Sequence, residues 1–167
     1  MRLFHVSEEP GIATFAPRVI DGKSLVWAIT EKCLPNYLTP RDCPRVAYHV
    51  SEKTTQEDIA TFFSSPSRHC VAIEHGWYEQ MAKTRLYVYE FDATNFVLLD
   101  ACAVYYVSEK TETPVSVVKT NGLFNELFQR NVEVRLLSHL WDLGRAVQQS
   151  SLNWSLCRMR NAAPNGV

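Results

Sequence analysis

The sequence predicts one α+β domain with a largely antiparallel β-sheet and three to four helices. Strand-like segments rich in β-branched and aromatic residues come in runs, and helical segments are interspersed singly, unlike the regular alternation of a parallel α/β fold. The 167 residues suit a single domain with a substantial core, and no linker-like stretch divides them. We predict a domain over residues 1–160 and a flexible tail over residues 161–167.

Eight segments have the composition of β-strands. Each is rich in aliphatic and aromatic residues and is bounded by polar residues, proline or glycine. The predicted strands are Leu3–Val6, Leu25–Ile29, Arg45–Val50, Cys70–Glu74, Arg85–Phe91, Ala103–Ser108, Pro114–Val118 and Val132–Leu137.

Five segments have helical patterns. Thr54 and Glu57 form a capping-box pattern at the start of a helix that runs to about Ser64. Asn121 and Ser138 each stand where a side chain could cap a following helix. The helices predicted after them are Gly122–Arg130 and His139–Gln149, with a shorter helix at Gly76–Lys83 and a single turn at Cys33–Leu38.

Composition indicates a soluble globular protein without a broad charged surface. Hydrophobic residues make up 46% and charged residues 21% of the chain, and the formal net charge is −1. This balance predicts no nucleic-acid partner and no attraction to an anionic membrane surface. No apolar run reaches the roughly 20 residues of a bilayer span, and the N-terminus turns charged too early for a signal peptide. We therefore expect a cytoplasmic location, with the oligomeric state left open.

Several common motifs do not occur in the sequence. The five cysteines include no C-x-x-C pair, so neither a disulfide framework nor a zinc site is predicted. No histidine pair has the spacing of a helical metal site, and we expect no metal. The missing G-x-G-x-x-G, P-loop and G-x-S-x-G motifs disfavour Rossmann and P-loop nucleotide binding and a serine nucleophile elbow.

The segment LTPRDCPRV places two arginines on a stiff loop. Pro40 and Pro44 each fix a φ angle, and the loop holds Arg41 and Arg45 four residues apart. The two guanidiniums could bind a carboxylate or phosphate, or they could pin the loop by pairing with nearby carboxylates. Because it lies between two cations, Cys43 could have a lowered pKa and be reactive.

His5 lies near the end of the first predicted strand, shortly before a loop that begins with Glu8-Glu9-Pro10-Gly11. Its imidazole could bind a ligand hydroxyl or transfer a proton near neutral pH, or it could be a hydrogen-bonded histidine at the sheet margin. His49 also lies in a strand, and the two imidazoles would approach each other if their strands were neighbours.

Other side chains could complete a site. Glu74 follows an apolar strand and could act as a general base or cap the next helix. Near the C-terminus, Arg158 and Arg160 offer a second anion contact or a solvated edge. Aromatic residues suit the walls of a small-molecule cleft. The aromatic candidates are Trp27, Tyr37, Trp77, Tyr105 and Tyr106.

Several phrases together resemble a small family that is named only as a domain of unknown function. They are FHVSEEPGI, VWAI, LPNYLTPRDCPRV, VAIEHGW, LYVYEF, YYVSEK and RMRNA, and they run over nearly the whole chain. More distantly, the order of elements resembles the ADP-ribosyltransferase-like fold, particularly its rifampin-modifying branch. In that comparison FHVS supplies His5 and Ser7 of the first strand, and VWAI supplies Trp27 of the second.

The resemblance to the ADP-ribosyltransferase-like fold implies a bent or split sheet whose cleft holds NAD. It implies that His5 hydrogen-bonds the adenosine-side ribose and that Trp27 packs against nicotinamide. A later acidic residue would stabilise an oxocarbenium-like ribose, and the candidates for this role are Glu74, Glu90, Asp100 and Glu109. We predict as cofactor-binding residues His5, Ser7, Trp27, Tyr37, Arg41 and Arg45, and as catalytic residues His5, Glu74 and Tyr105.

Three functions follow from these observations, each with a small molecule as the partner. The first is ADP-ribosyl transfer or other NAD-linked chemistry by a transferase, with Arg41 or Arg45 near the pyrophosphate. The second is a cofactor-independent isomerase, cyclase or hydrolase that acts on a small organic substrate by His, Glu and Tyr acid–base catalysis. The third is a ligand-binding module without catalysis.

Overall fold

A computed structural model of the chain describes residues 1–20 and 22–165. The strands are β1 (Arg2–Ser7), β2 (Arg18–Ile20), β3 (Lys23–Thr30), β4 (Arg45–His49), β5 (His69–Glu74), β6 (Leu86–Asp92), β7 (Val97–Asp100), β8 (Tyr105–Ser108), β9 (Ser116–Thr120), β10 (Glu133–Leu137) and β11 (Asn153–Cys157). The α-helices are α1 (Gln56–Phe62), α2 (Tyr78–Lys83), α3 (Leu123–Gln129) and α4 (Trp141–Gln148). Three 3-10 helices span Glu31–Tyr37, His75–Trp77 and Met159–Asn161.

The strands form two sheets. The larger sheet is antiparallel, with the order β7-β8-β3-β1-β6-β9 and with β2 attached to β3. The smaller sheet has the order β10-β5-β4-β11, and only its β5–β10 pair is parallel. The predicted α+β class with a mostly antiparallel arrangement is therefore confirmed, although the strands divide between two sheets.

The main core lies between the two sheets. Strand β4 shows how the chain divides its side chains, because successive residues in a strand point to opposite faces. Ala47 packs into the core shared with Phe4 and Ile29 of the larger sheet. Its neighbours Val46 and Tyr48 pack on the other face with residues of α1 and α4. The smaller sheet is thus buried on both faces. For this reason, its central strands are nearly continuous runs of apolar residues in the sequence.

The helices lie close to their predicted positions, but their caps differ. The hydroxyl of Thr55, rather than that of Thr54, caps α1 by accepting a hydrogen bond of 3.2 Å from the backbone N–H of Asp58. Among the described residues, neither α3 nor α4 has a side-chain cap, so the predicted caps Asn121 and Ser138 are wrong. Gly122 precedes α3 with a φ of 64°, a left-handed conformation that suits glycine.

Strands β1 and β3 pair over a short distance and then separate. Leu3 pairs with Thr30 and Phe4 with Ile29, whereas β1 stays paired with β6 from Arg2 to Ser7. From His5 onward, the larger sheet is therefore split between β1 and β3. The split opens a cleft between the two strands.

The C-terminal residues that the structure describes contact the domain. The side-chain amide of Asn161 donates to the carbonyl of Asp42 at 2.8 Å. The backbone of Ala163 donates to Glu74 Oε1 at 2.8 Å and accepts from Trp141 Nε1 at 2.7 Å. These bonds attach Asn161 and Ala163, which the sequence placed in the tail, to the domain. Residues 166 and 167 lie outside the described residues.

The helices of the described residues are short. The longest α-helix, α4, has eight residues. In the described part of the chain, no helix has the length and apolar character needed to cross a membrane.

Candidate functional site

The cleft at the split has a volume of about 630 Å³. Its walls come from β1 and the loop after it, from β3 and from the chain that follows β11. A further wall comes from Pro40–Val46, called here the PRDCPRV loop. The polar and aromatic side chains that line it are His5, Ser7, Glu8, Glu9, Phe15, Arg18, Trp27, Tyr37, Thr39, Arg41, Arg45, Cys157, Arg158 and Arg160. All six predicted cofactor-binding residues thus line one cleft.

His5 joins the two strands where the sheet splits. Its Nδ1 lies 2.9 Å from the carbonyl oxygen of Trp27, so Nδ1 carries the hydrogen of the neutral ring and donates it. Burial lowers the pKa of His5 below its usual value; the Trp27 hydrogen bond opposes this effect, and the charges of Arg18 and Arg41 add to it. The ring is therefore neutral at pH 7 and keeps Nε2 as an acceptor. It also packs on the ring of Phe15, with centroids 4.9 Å apart.

The loop after β1 forms one wall of the cleft and is fixed by side chains. The hydroxyl of Tyr89 donates to the carbonyl of Glu9 at 2.7 Å and accepts from the backbone N–H of Ile12 at 3.1 Å. The carboxylate of Glu8 accepts a hydrogen bond of 2.8 Å from the backbone N–H of Arg41. This contact joins the loop to the PRDCPRV segment on the other side of the cleft.

Arg45 places a buried cation at the cleft. Its side chain is 5% exposed, and it donates to the carbonyls of Asn36 at 2.7 Å and Cys43 at 3.1 Å. The guanidinium carbon lies 5.1 Å from the ring centroid of Tyr37. Within the described residues, no carboxylate forms an ion pair with Arg45.

The other cleft arginines lack carboxylate partners as well. Across residues 1–20 and 22–165 no ion pair involves Arg18, Arg41, Arg158 or Arg160. The cleft therefore collects five arginines and two glutamates, an excess of positive charge that favours an anionic ligand.

The chain leaves β11 by a sharp turn at Arg158. Arg158 has a φ of 56°, and its Nε donates to the carbonyl of Arg41 at 3.1 Å. A left-handed conformation in a residue with a side chain costs about 1–2 kcal/mol. The turn brings Arg158 and Arg160 to the same cleft as the arginines of the PRDCPRV loop.

Cys157 is a cleft residue that sequence reasoning missed. Its Sγ lies 3.3 Å from Ser155 Oγ, 3.9 Å from Tyr105 Oη and 4.0 Å from Tyr37 Oη. Burial alone would raise the pKa of the Cys157 thiol, but the charge of Arg45 and the three hydroxyls outweigh burial and lower that pKa. The period-2 pattern of NWSLC is the signal that could have placed Cys157. Trp154 and Leu156 pack with α1 and α4 on one face of the smaller sheet, so Cys157 lies on the opposite face.

The structure does not bring two of the predicted catalytic residues into the cleft lining. Glu74 is buried, and its carboxylate accepts a hydrogen bond from the backbone N–H of Ala163. Tyr105 lies behind the cleft wall, with its ring 5.5 Å from that of Trp27 and its hydroxyl 2.8 Å from Ser155 Oγ. Burial raises the pKa of Tyr105 to about 12, so its hydroxyl is protonated at neutral pH.

The candidate carboxylates for an oxocarbenium partner also lie elsewhere. Glu74, Glu90, Asp100 and Glu109 are not among the cleft-lining residues; the carboxylates that line the cleft are Glu8 and Glu9. Among the described residues, no group of three His, Cys, Asp or Glu side chains has a geometry that could hold a metal ion.

Cys43 does not have the lowered pKa that its position between two arginines made possible. The residue is fully buried, and burial raises the pKa of its thiol to about 12 despite the charge of Arg45 nearby. Desolvation disfavours the charged thiolate more than one neighbouring cation favours it. The thiol lies in the main core with Cys33 and Leu38.

His49 packs against His69 and not against His5. The strands of His5 and His49 belong to different sheets, and the ring of His49 lies 5.1 Å from that of His69 instead. His69 Nε2 is 2.6 Å from Asn36 Oδ1, whereas neither ring nitrogen of His49 has a hydrogen-bond partner among the described residues. Burial lowers the pKa of His49 to about 4 and that of His69 to about 3.

Comparison with known proteins gives a family match. The model of a family described as "Family of unknown function (DUF6886)" matches residues 4–162. No curated protein and no solved structure matches the chain.

Proposed function

We propose that this chain, which belongs to the family of unknown function DUF6886, is an enzyme that binds a phosphorylated small molecule in the cleft, with NAD as the first ligand to test. The observation that carries the proposal is Arg45, a buried guanidinium at the cleft without a carboxylate partner among the described residues. Burying a charge is costly unless it is paired. A phosphate or carboxylate of a ligand would supply the missing partner.

The geometry around Arg45 supports a contact between Nη2 and an anion. Its Nε and Nη1 are engaged by backbone carbonyls, which fixes the plane of the guanidinium and leaves Nη2 for a ligand. Arg41 and Arg158 are linked through the 3.1 Å bond from Arg158 Nε to the carbonyl of Arg41. Guanidiniums held in fixed positions recognise phosphate oxygens well, because little side-chain entropy is lost on binding.

The remaining walls suit a nucleoside. His5 offers a neutral acceptor at Nε2, which could receive a hydrogen bond from a ribose hydroxyl. The rings of Trp27, Tyr37 and Phe15 line the same cleft, and aromatic surfaces pack against planar bases. This combination of cations, one acceptor and aromatic surface supports the hypothesis of NAD-linked chemistry, which the ADP-ribosyltransferase-like resemblance implies. If ribosyl transfer occurs, Glu8 and Glu9 are the candidate carboxylates, because they line the cleft.

A second candidate function is cofactor-independent acid–base chemistry on a small carboxylate substrate. It is favoured by the free Nε2 of His5, which is unprotonated at neutral pH and can accept a proton. In this reading Arg41 and Arg45 hold the substrate carboxylate, and no cofactor takes part.

Ligand-binding measurements distinguish these two proposed functions. Calorimetric titration with NAD, ADP-ribose, pyrophosphate and a set of small dicarboxylates should give saturable binding of the phosphorylated ligands, and a melting temperature that rises with ligand concentration. Arg41→Ala should weaken that binding about tenfold to a hundredfold, since a charge-assisted hydrogen bond contributes about 1.5–3 kcal/mol. Arg85→Ala, an exposed arginine outside the cleft lining, is the matched control and should bind normally. Binding of dicarboxylates alone would favour the second function, and no binding of any anion would overturn both.

A further inference from the structure

We propose that Asn36 and His69 are positioning residues for the cleft and that they act through Arg45. His69 fixes the side chain of Asn36, and the carbonyl of Asn36 fixes the guanidinium that contacts an anionic ligand. Only the identity of the ligand rests on the proposed function, because the hold on Arg45 can be measured without a ligand.

Asn36 lies near the end of the 3-10 helix Glu31–Tyr37, on the connection from β3 to β4. Its side chain is 2% exposed, and it is not among the cleft-lining residues. The next residue, Tyr37, lines the cleft, and its ring centroid lies 5.1 Å from the guanidinium carbon of Arg45. Asn36 can therefore affect a ligand only through the residues that it contacts.

The carbonyl of Asn36 is the closer of the two acceptors that orient Arg45. Arg45 Nε donates to this carbonyl at 2.7 Å, and Nη1 donates to the carbonyl of Cys43 at 3.1 Å. Two hydrogen bonds from one planar guanidinium fix its plane, whereas a single bond leaves the group free to turn about that contact. The position of the Asn36 carbonyl therefore decides where the remaining Nη2 points.

The helix that carries Asn36 is a weak support by itself. A 3-10 helix has poorer hydrogen-bond geometry than an α-helix and is usually short, and this one spans seven residues. Pro35 lies inside it and has no backbone N–H to donate. A side-chain contact is therefore needed to keep the Asn36 carbonyl in one position.

His69 supplies that contact. Its Nε2 lies 2.6 Å from Asn36 Oδ1, and because an amide oxygen only accepts, Nε2 carries the hydrogen of the neutral ring. Burial lowers the pKa of His69 to about 3, so the ring is neutral at pH 7. His69 is itself held in place, because it begins β5, an inner strand of the smaller sheet between β4 and β10.

The neighbouring histidine lacks such a contact. His49 is the residue opposite His69 in β4, and the two rings lie 5.1 Å apart. Neither ring nitrogen of His49 has a hydrogen-bond partner among the described residues. On the same face of β5 as His69, Val71 and Ile73 are apolar and pack in the main core. A polar side chain in this row is costly unless it is hydrogen-bonded, and the bond to Asn36 offsets that cost at His69.

The first measurement needs no ligand. Exchange of the Arg45 Nε–H with water is followed by 15N NMR of the arginine side chains, and Arg45→Lys identifies the signal. Asn36→Ala and His69→Leu remove the same hydrogen bond from its two ends, so each should speed the exchange about two- to tenfold, and either variant decides the result if the other does not fold. His69→Gln keeps a donor near Nε2 and should exchange like the wild-type protein. His49→Leu, which removes the ring that has no bond to Asn36, should do the same.

The second measurement is calorimetric titration with pyrophosphate. Asn36→Ala and His69→Leu should bind pyrophosphate about two- to tenfold more weakly than the wild-type protein, because Arg45 is no longer held in one orientation before binding. His69→Gln and His49→Leu should bind it normally.

Tyr48→Phe controls for a general loss of stability. It removes the buried hydrogen bond from the Tyr48 hydroxyl to the carbonyl of Phe62, on the opposite face of the smaller sheet. This variant should have a lower melting temperature and an unchanged affinity for pyrophosphate. Affinities that follow the melting temperatures, with Tyr48→Phe included, would overturn the positioning role.

The exchange rates and the affinities fail separately. Unchanged Arg45 exchange in both Asn36→Ala and His69→Leu would overturn the proposal, and so would equal acceleration by His69→Leu and His49→Leu. Faster exchange with unchanged pyrophosphate affinity would overturn the role in ligand binding. If the wild-type protein binds no pyrophosphate, the proposed binding of a phosphorylated ligand fails, whereas the exchange rates still decide whether Asn36 and His69 hold Arg45.

Discussion

At the scale of single residues, His5 shows why a histidine stands where the first strand leaves the core. One ring nitrogen replaces the backbone hydrogen bond that β1 and β3 can no longer make, by donating to the carbonyl of Trp27. The other ring nitrogen is left for the cleft. The same side chain therefore links β1 to β3 through Nδ1 and offers Nε2 as an acceptor to a ligand in the cleft.

Two substitutions separate these roles of His5. His5→Asn keeps a donor near the position of Nδ1 and removes the acceptor at Nε2, so stability should be retained and ligand affinity should fall about two- to tenfold. His5→Gln keeps a polar group near Nε2 and removes the Nδ1 donor, so about 1 kcal/mol of stability should be lost while binding is kept. Urea unfolding and calorimetric titration of both variants check this. Equal effects of the two substitutions on both measurements would contradict the assignment.

The buried histidine pair makes stability depend on pH. The folded-state pKa values of about 4 for His49 and about 3 for His69 lie below the unfolded value of about 6.5. Between these limits the unfolded chain binds more protons than the folded one, so the free energy of unfolding rises with pH. We expect a loss of about 1.4 kcal/mol per pH unit for each histidine as the pH falls from about 6 toward 4, measured by urea unfolding.

His49→Leu tests this pH dependence. Neither ring nitrogen of His49 has a partner among the described residues, and a buried unpaired polar group costs about 1–3 kcal/mol. An apolar side chain of similar volume should therefore leave stability at pH 7 unchanged or increase it, and should reduce the slope between pH 4 and 6. A steep loss of stability at pH 7 would show that His49 has a partner that the structure does not contain.

Prediction of which residues would lie at a cleft worked for residues near the ends of strands. His5, Arg41 and Arg45 line the cleft because each stands within a few residues of the point where a strand begins or ends. It failed for cysteines, because exposure decides thiol chemistry and exposure is a property of the folded chain. Cys43 is buried, whereas Cys157 lies at the cleft among donors.

At the scale of elements, two of the strands that were missed have too weak an apolar pattern to be recognised in the sequence. Strand β7 is exposed at all four positions, so burial imposes no pattern on it. Strand β11 alternates, but with only Trp154 and Leu156 on its apolar side the pattern is too short to stand out. The elements with two buried faces, such as β4 and β5, were predicted within a residue or two of their bounds.

The loop after β1 gives a prediction at this scale. Tyr89→Phe removes the hydroxyl that bonds both Glu9 and Ile12 and keeps the buried ring. We expect faster hydrogen exchange at the Ile12 amide, a loss of about 1 kcal/mol in the free energy of unfolding, and weaker ligand binding. Tyr87→Phe is the control, since among the described residues the Tyr87 side chain forms no hydrogen bond. Equal exchange in the two variants would mean that Tyr89 does not fix the loop.

At the scale of the whole molecule, the cleft is assembled from distant parts of the chain. His5 comes from the larger sheet, Arg45 begins a strand of the smaller sheet, and Cys157 ends that sheet's edge strand. Sequence patterns describe local structure, so they predicted the α+β class and most elements. They could not predict that the C-terminal segment would close the cleft, because that contact depends on how the two sheets pack together.

The C-terminal contact is also a prediction about the stability of the whole domain. Ala163 donates to the carboxylate of Glu74 and accepts from the indole of Trp141, and Glu74 is only 7% exposed. Truncation after Arg160 leaves this buried carboxylate without its backbone donor, so unfolding should cost about 1–3 kcal/mol less. Truncation after Pro164 creates the same kind of new terminal carboxylate but keeps both bonds, and it should unfold like the full chain in urea. Equal stability of the two truncated chains would show that residues 161–163 contribute nothing to the stability of the fold.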